Sequence, residues 1–384
     1  MKKIISLLLC VITLQLPAQK NQFTLTGKIN GLDSKKVFLI IYDEAYPNGI
    51  RRDSIIVNNG SFTLTAPIEK LQYASISPGI DRIVKKSGSG GYYPAKSSII
   101  QLFLFPGAQV VVSGKITDFA DAYPSGDKAN NDFTRLNKAI YPLLNKSVNI
   151  SVKFSKKEIK DTVLIKKMKD TADMLDKKVL AIKEKFLREN TASSAAAWLL
   201  SDMMIRSQVS NEAATAFFNN MNKEKLADVP FYADVAKRIE GISATAIGKT
   251  VPEINTLNTY DGKRFDLTSL RGKYVVIDFW GTWCGPCIAG MPKMKVYLDQ
   301  YKDKLEIVGI AQESDNGSRW KKFIFDKPQY AWHQILNTKE NDFVLQFNVA
   351  GFPTKFIIDP NGKILGRFVG EDDQIYDKID ELLK

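Results

Sequence analysis

Two cysteines separated by two residues, Cys284 and Cys287 in the stretch FWGTWCGPC, are the side chains of this chain best suited to do chemistry. Three chemistries fit such a pair: half of a metal site, a structural disulfide, or a couple that cycles between dithiol and disulfide. A metal site needs three or four ligands at suitable spacing. Here there is no second cysteine pair, and the single histidine, His333, lies in a strand-like run between Trp332 and Gln334. His333 reads as a packing or surface residue, and no metal is expected. A bridge that closes only two residues offers little entropic stabilisation. The redox reading has a positive basis. Cys284 follows an apolar run (VVIDFW) and a short turn, where a helix should begin. There its sulfur faces unpaired N–H groups and the positive end of the helix dipole, which both favour thiolate over thiol. Cys287 is placed to resolve a mixed disulfide formed on Cys284. Pro286 stiffens the first helical turn, where its missing N–H is no loss.

The N-terminus says where such a pair would work. Lys2 and Lys3 precede an apolar run from Ile4 to Leu16, followed by Pro17, Ala18 and Gln19. That is the order of a secretory leader, with cleavage expected near Ala18 or Gln19 and residues 1–19 removed. The run is shorter than the roughly 20 apolar residues a spanning helix needs. Cys10 follows Leu9 rather than a small residue, which argues against a lipid anchor, and it leaves with the leader. Cys284 and Cys287 then remain in a compartment that permits disulfides, where a single close pair is poorly suited to stapling. The formal charge is +12, but the lysines are mixed with acids, as in KKEIKDTVLIKKMKD. Without a recognisable nucleic-acid-binding motif this reads as a solvated basic surface, not a nucleic-acid site.

The elements that must position the pair follow from periodicity. A length of 384 residues implies two or three domains of roughly 100–200 residues each. Residues 20–125 read as a small β-rich domain: FTLTGKI alternates, KVFLIIY is β-branched and aromatic, and SIIVNNGSFTLTAP reads as a hairpin about Asn59-Gly60. Residues 126–247 read as helical, with Met168, Ala172, Leu175, Val179, Ile182 and Phe186 forming one apolar stripe. Residues 248–384 alternate strands and helices and end in the hairpin TKFIIDPNGKILGRFVG and a helix. That pattern implies a mixed sheet flanked by helices, an α/β fold.

Around the cysteines the resemblance is specific. VVIDFWGTWCGPC resembles the active-site segment of the thioredoxin superfamily, and Gly351-Phe352-Pro353-Thr354 resembles its cis-proline loop. Pro292, eight residues after Cys284, matches the proline of the active-site helix, and Asp278, six residues before it, matches the buried acid. The leader, the lead-in GKRFDLTSLRGKYVVIDFW and the block between LEIVGIAQ and GFPT resemble exported TlpA/ResA-like thiol–disulfide oxidoreductases. The preceding β-rich region and helical segment resemble the DUF4369-type extension of such proteins from Bacteroidetes.

The resemblance implies a periplasmic or envelope thiol–disulfide oxidoreductase. Cys284 would be the nucleophile, Cys287 the resolving thiol and Asp278 the proton acceptor. Trp283, Gly285, Pro286, Phe352 and Pro353 would seat the substrate, while Trp280 and Trp283 shape the site. The redox-active disulfide itself replaces any cofactor. The Gly-Pro insert resembles reducing members, with oxidised envelope proteins such as apocytochrome c as substrates and a membrane thiol carrier as electron donor. A dimer through the N-terminal or helical region is compatible with the pattern. Two departures leave the potential open: Gly290 stands where ResA-like proteins carry a glutamate, and LEIVGIAQ lacks the lysine that thioredoxin sets beside its acid. Asp278 is thus the sole proton acceptor expected. Two rival readings are a dithiol oxidant or isomerase, and an envelope binding protein whose β-domain captures a partner.

Overall fold

A computed structural model describes residues 21–42, 46, 49–88, 90–93 and 95–384; the leader expected over residues 1–19 lies outside them. The β-rich region comprises β1 (Gln22–Asn30), β2 (Lys36–Tyr42), β3 (Ile50–Ile56), β4 (Ser61–Pro67), β5 (Gln72–Ser77), β6 (Ile100–Leu104), β7 (Gln109–Ile116) and β8 (Ala120–Ser125). They form two four-stranded sheets, ordered β4-β1-β7-β8 and β3-β2-β5-β6. Phe23, Leu25, Val110 and Val112 of the first meet Val37, Leu39, Ala74 and Ile76 of the second in one core. The alternation of buried and exposed positions along β1 is the direct result, because successive side chains point to opposite faces.

The hairpin expected about Asn59-Gly60 is corrected in part. Asn59 (φ 50°) and Gly60 (φ 72°) do form the tight turn, closed by the pairing of Asn58 with Ser61. The strands then separate, β3 joining β2 and β4 joining β1. The turn is local chemistry, whereas burying both apolar faces requires the two strands to enter opposite layers.

Helices follow: α1 (Lys128–Ser155), α2 (Thr162–Glu189), α3 (Ser194–Ile205), α4 (Asn211–Asn219), α5 (Lys223–Leu226) and α6 (Pro230–Ala244). They cover the outer face of β6, whose residues are all buried. Asn130 of α1 accepts from the Phe103 N–H and donates to its carbonyl, 2.9 Å each, so the edge strand β6 has no free polar rim at that point. The expected apolar stripe of α2 is buried at Leu175, Val179 and Phe186 and half-buried at Met168, Ala172 and Ile182. At the other end α6 docks on the C-terminal region. There Arg238 donates to the Val349 carbonyl at 3.3 Å and Gly241 lies against the backbone of Gln346.

The C-terminal region contains β9 (Asn255–Thr256), β10 (Phe265–Asp266), β11 (Tyr274–Trp280), α7 (Gly285–Gln300), β12 (Leu305–Ala311), α8 (Ser318–Asp326), β13 (His333–Leu336), α9 (Phe343–Gln346), β14 (Thr354–Ile358), β15 (Ile364–Val369) and α10 (Gln374–Leu383). Its sheet has the order β13-β12-β11-β14-β15, with β11 parallel to β12 and antiparallel to β14. This is the mixed, helix-flanked sheet of a thioredoxin-like domain. Ile277 and Phe279 point into one core layer. Val276 points into the opposite layer, formed with α7 and α10, so Asp278 faces that way too.

Candidate active site

The central strand β11 delivers the site. Beyond Trp280 the chain turns through Gly281, Thr282 and Trp283, and Cys284 becomes the N-cap of α7. The turn is clamped by a residue that the sequence did not single out. The Glu313 carboxylate, its side chain fully buried, accepts from the Thr282 N–H at 2.6 Å and from the Thr282 hydroxyl at 2.9 Å. On the other side the Trp283 indole N–H donates to the Gln312 carbonyl at 2.8 Å. That bond passes directly over Gly281, where a Cβ would sit 2.6 Å from the indole nitrogen, so only glycine fits.

Cys284 and Cys287 are joined by a disulfide, and both are buried. The Cys287 N–H donates to the Cys284 sulfur at 3.2 Å, the contact that stabilises a thiolate at this position once the bridge opens. Gly285 and Pro286 are exposed, with Pro286 in the first turn of α7. Pro292 lies within the same helix. The Phe352–Pro353 bond is cis. The Phe352 ring meets the Trp283 ring edge-on at 5.2 Å, and Trp283 is 53% exposed, so these two rings form a rim beside the dithiol. Trp280 differs: it is wholly buried, donates to the Gln334 side chain at 3.1 Å and packs in one cluster with both cysteines. His333 lies apart from them, against Phe265 (5.2 Å between rings) and Glu306 (3.5 Å).

Behind the cysteines, Asp278 does have a lysine beside it, carried not by LEIVGIAQ but by β14. Lys355 stands directly opposite it on β14 and is itself buried. The Lys355 ammonium donates to Glu371, in the loop after β15, at 2.5 Å but stays 3.7 Å from Asp278 Oδ1, which has no hydrogen-bond partner. Burial pushes the Asp278 carboxyl up to about 6; Lys355 pulls it down, and the nearby Glu371 charge pushes it up again. Tyr376 of α10 donates to Glu371 at 3.0 Å. Lys355 left one signal in the sequence, a charge inside the otherwise apolar strand TKFII. Glu371 left none, because only folding brings it here.

Residues 246–383 match the Redoxin family, and residues 23–133 match DUF4369, a domain of unknown function. The thiol-disulfide oxidoreductase ResA of Bacillus thuringiensis subsp. konkukian is 34% identical over 140 residues, covering 36% of this chain and 77% of that protein. The thioredoxin-like protein YneN of Bacillus subtilis is 32% identical over 139 residues, covering 36% of this chain and 79% of its own length. Among solved structures, the thioredoxin domain of a thiol-disulfide oxidoreductase from Bacteroides vulgatus aligns at 28% identity with a TM-score of 0.33, covering 36% of this chain and 99% of that one.

Proposed function

The chain belongs to the ResA family of thiol-disulfide oxidoreductases, and from that premise we propose that it is an exported reductant of protein disulfides in the cell envelope. The observation that carries the reading is the Cys284–Cys287 bridge at the start of α7, with Cys284 accepting a backbone N–H beside the exposed Trp283–Phe352 rim. In the dithiol state the Cys284 thiolate attacks one sulfur of a substrate disulfide. The substrate bond breaks, its other sulfur leaves as a thiolate and takes a proton from water, and a mixed disulfide joins substrate to Cys284. Cys287 then gives its proton to Asp278 and attacks the Cys284 sulfur. The second substrate thiolate departs, and the protein is left with the Cys284–Cys287 disulfide seen in this structure. Two electrons have passed to the substrate, and a thiol donor must return them. A membrane thiol carrier fits that requirement. No helix among the described residues is long and apolar enough to cross a membrane.

Leader-like residues 1–19 support export, and the Gly285-Pro286 insert supports a reducing couple. Measuring the potential of the Cys284–Cys287 couple tests the direction of flow. A value near about −270 mV is expected for a reductant, and one near about −120 mV would make the protein an oxidant. Insulin reduction should be lost in Cys284→Ser, and Cys287→Ser should accumulate mixed disulfides on Cys284 whose partners mass spectrometry can name. If Cys284→Ser reduces insulin as well as the parent protein does, the assignment fails.

A further inference from the structure

Glu371 reaches the site through a space that only glycine leaves open. A Cβ at Gly290 would lie 2.3–2.5 Å from the Glu371 carboxyl atoms. Gly290 is buried on α7 one turn beyond Cys287, so the Glu371 carboxylate lies against the face of the helix that carries the resolving cysteine. It is fixed there twice, by the Lys355 ammonium on one oxygen and the Tyr376 hydroxyl on the other.

The ions around Asp278 can be counted element by element. Lys355 comes from β14, Glu371 from the loop after β15, and Tyr376 from α10 as a neutral donor. On β12 the residue opposite Asp278 is Gly309, and on β15 the residue opposite Lys355 is Phe368, so neither strand adds a charge there. From α7 come Cys287 and, farther out, Lys293, which pairs with Asp373 at 2.5 Å over the Tyr376 ring. One buried cation therefore serves two carboxylates, and it is bonded to Glu371.

We infer that Glu371 is a positioning residue that sets the proton affinity of Asp278 by holding the Lys355 ammonium away from it. The inference rests on the proposed role of Asp278 as the acceptor of the Cys287 proton. With Glu371 in place, ionised Asp278 leaves the group of three with one net negative charge, and protonation makes it neutral. The proton released by Cys287 is thus accepted where it removes an uncompensated charge. With the Glu371 charge gone, Lys355 would turn to Asp278, and the carboxylate would become a weaker base.

The test is a carbon-13 titration of the Asp278 carboxyl in the oxidised full-length protein, read beside the pH profile of insulin reduction. In the parent protein the carboxyl should titrate near the value of about 6. Glu371→Gln should lower it by about one unit or more, the usual effect of an opposite charge moving into contact. Gly290→Ala should shift it the same way, because the methyl group displaces the flexible Glu371 side chain while leaving every ionisable group in the chain. Lys355→Met should shift it upward. The acid limb of the activity profile should move with each titration. A carboxyl that titrates in Glu371→Gln and Gly290→Ala where it does in the parent overturns the inference. A parent protein that does not reduce insulin overturns the functional reading instead, and the titration still decides the role of Glu371.

Discussion

The carboxylate–lysine pair Asp202–Lys96 among the helices and the group Asp278–Lys355–Glu371 under the dithiol are built to opposite effect. Asp202 of α3 accepts from Lys96 at 2.6 Å and from Arg206 at 2.9 Å, so one carboxylate holds two cations. Burial pushes its carboxyl up, but Lys96 and then Arg206 more than offset this, and it stays below the usual carboxylate range. Lys96 also lies 4.7 Å over the Trp198 ring, within the aromatic core that joins α3 to β6. Under the dithiol the ratio is inverted: Asp278 must share one lysine, and the larger part goes to Glu371. The same residue types give a fixed strut in the first place and a proton acceptor in the second. The difference lies in the number of partners per charge together with depth of burial, which is greater for Asp278 (side chain 4% exposed) than for Asp202 (12%).

The largest expected effect would break the first half of this comparison. Lys96→Met removes the closer cation from Asp202 and leaves a buried charge with Arg206 alone. Stability at pH 7 should fall by about 3 kcal/mol, toward the lower end for a broken buried pair because Arg206 remains. The depressed Asp202 carboxyl makes the parent's contribution present above about pH 4, and it is lost as pH falls through the lowered value. Urea unfolding at pH 7 and pH 3 reads both. An unchanged midpoint at pH 7 would show that Asp202 is held by Arg206 and water.

Asp278→Asn should do the reverse. A carboxyl that titrates near 6 in the folded chain and in the ordinary range when unfolded costs stability as pH rises between those values. The full cost above pH 7 is about 3 kcal/mol. The asparagine variant should therefore be more stable than its parent by about that amount at pH 8, and no more stable at pH 4. Insulin reduction should drop about a hundredfold, the usual scale for a lost general base. A variant that is destabilised at pH 8 would place Asp278 with Asp202, as a strut.

How much of this was legible before folding follows from the range over which each signal acts. The central strand of the mixed sheet, the helix start at Cys284 and the loop at Pro353 are legible because each is written in a contiguous run: VVIDFW, CGPC, GFPT. The separation of β3 from β4 is not. Asn59-Gly60 dictates a turn but says nothing about which layer each strand must enter. Lys355 is not legible as the partner of Asp278 because the resemblance places a lysine on the parallel neighbour β12, whereas here it stands on the antiparallel neighbour β14. Glu371 was hidden more deeply, since its place depends on the absence of a side chain at Gly290.

Glu313 gives the finest test, because it lies between the two extremes. Its buried carboxylate is satisfied chiefly by neutral donors, the Thr282 N–H and hydroxyl, with Arg319 farther off at 3.9 Å. If partners per charge is the right measure, Glu313 should behave as a strut of modest strength that governs the placement of Cys284 but not its proton chemistry. Glu313→Ala leaves two Thr282 donors without an acceptor, at an expected cost of about 1–2 kcal/mol. The freed turn should raise the KM for a protein disulfide several-fold while the carbon-13 titration of Asp278 stays where it was. Movement of that titration would mean that the turn and the buried ions form one electrostatic unit, and the distinction between strut and proton acceptor would no longer hold on this side of the sheet.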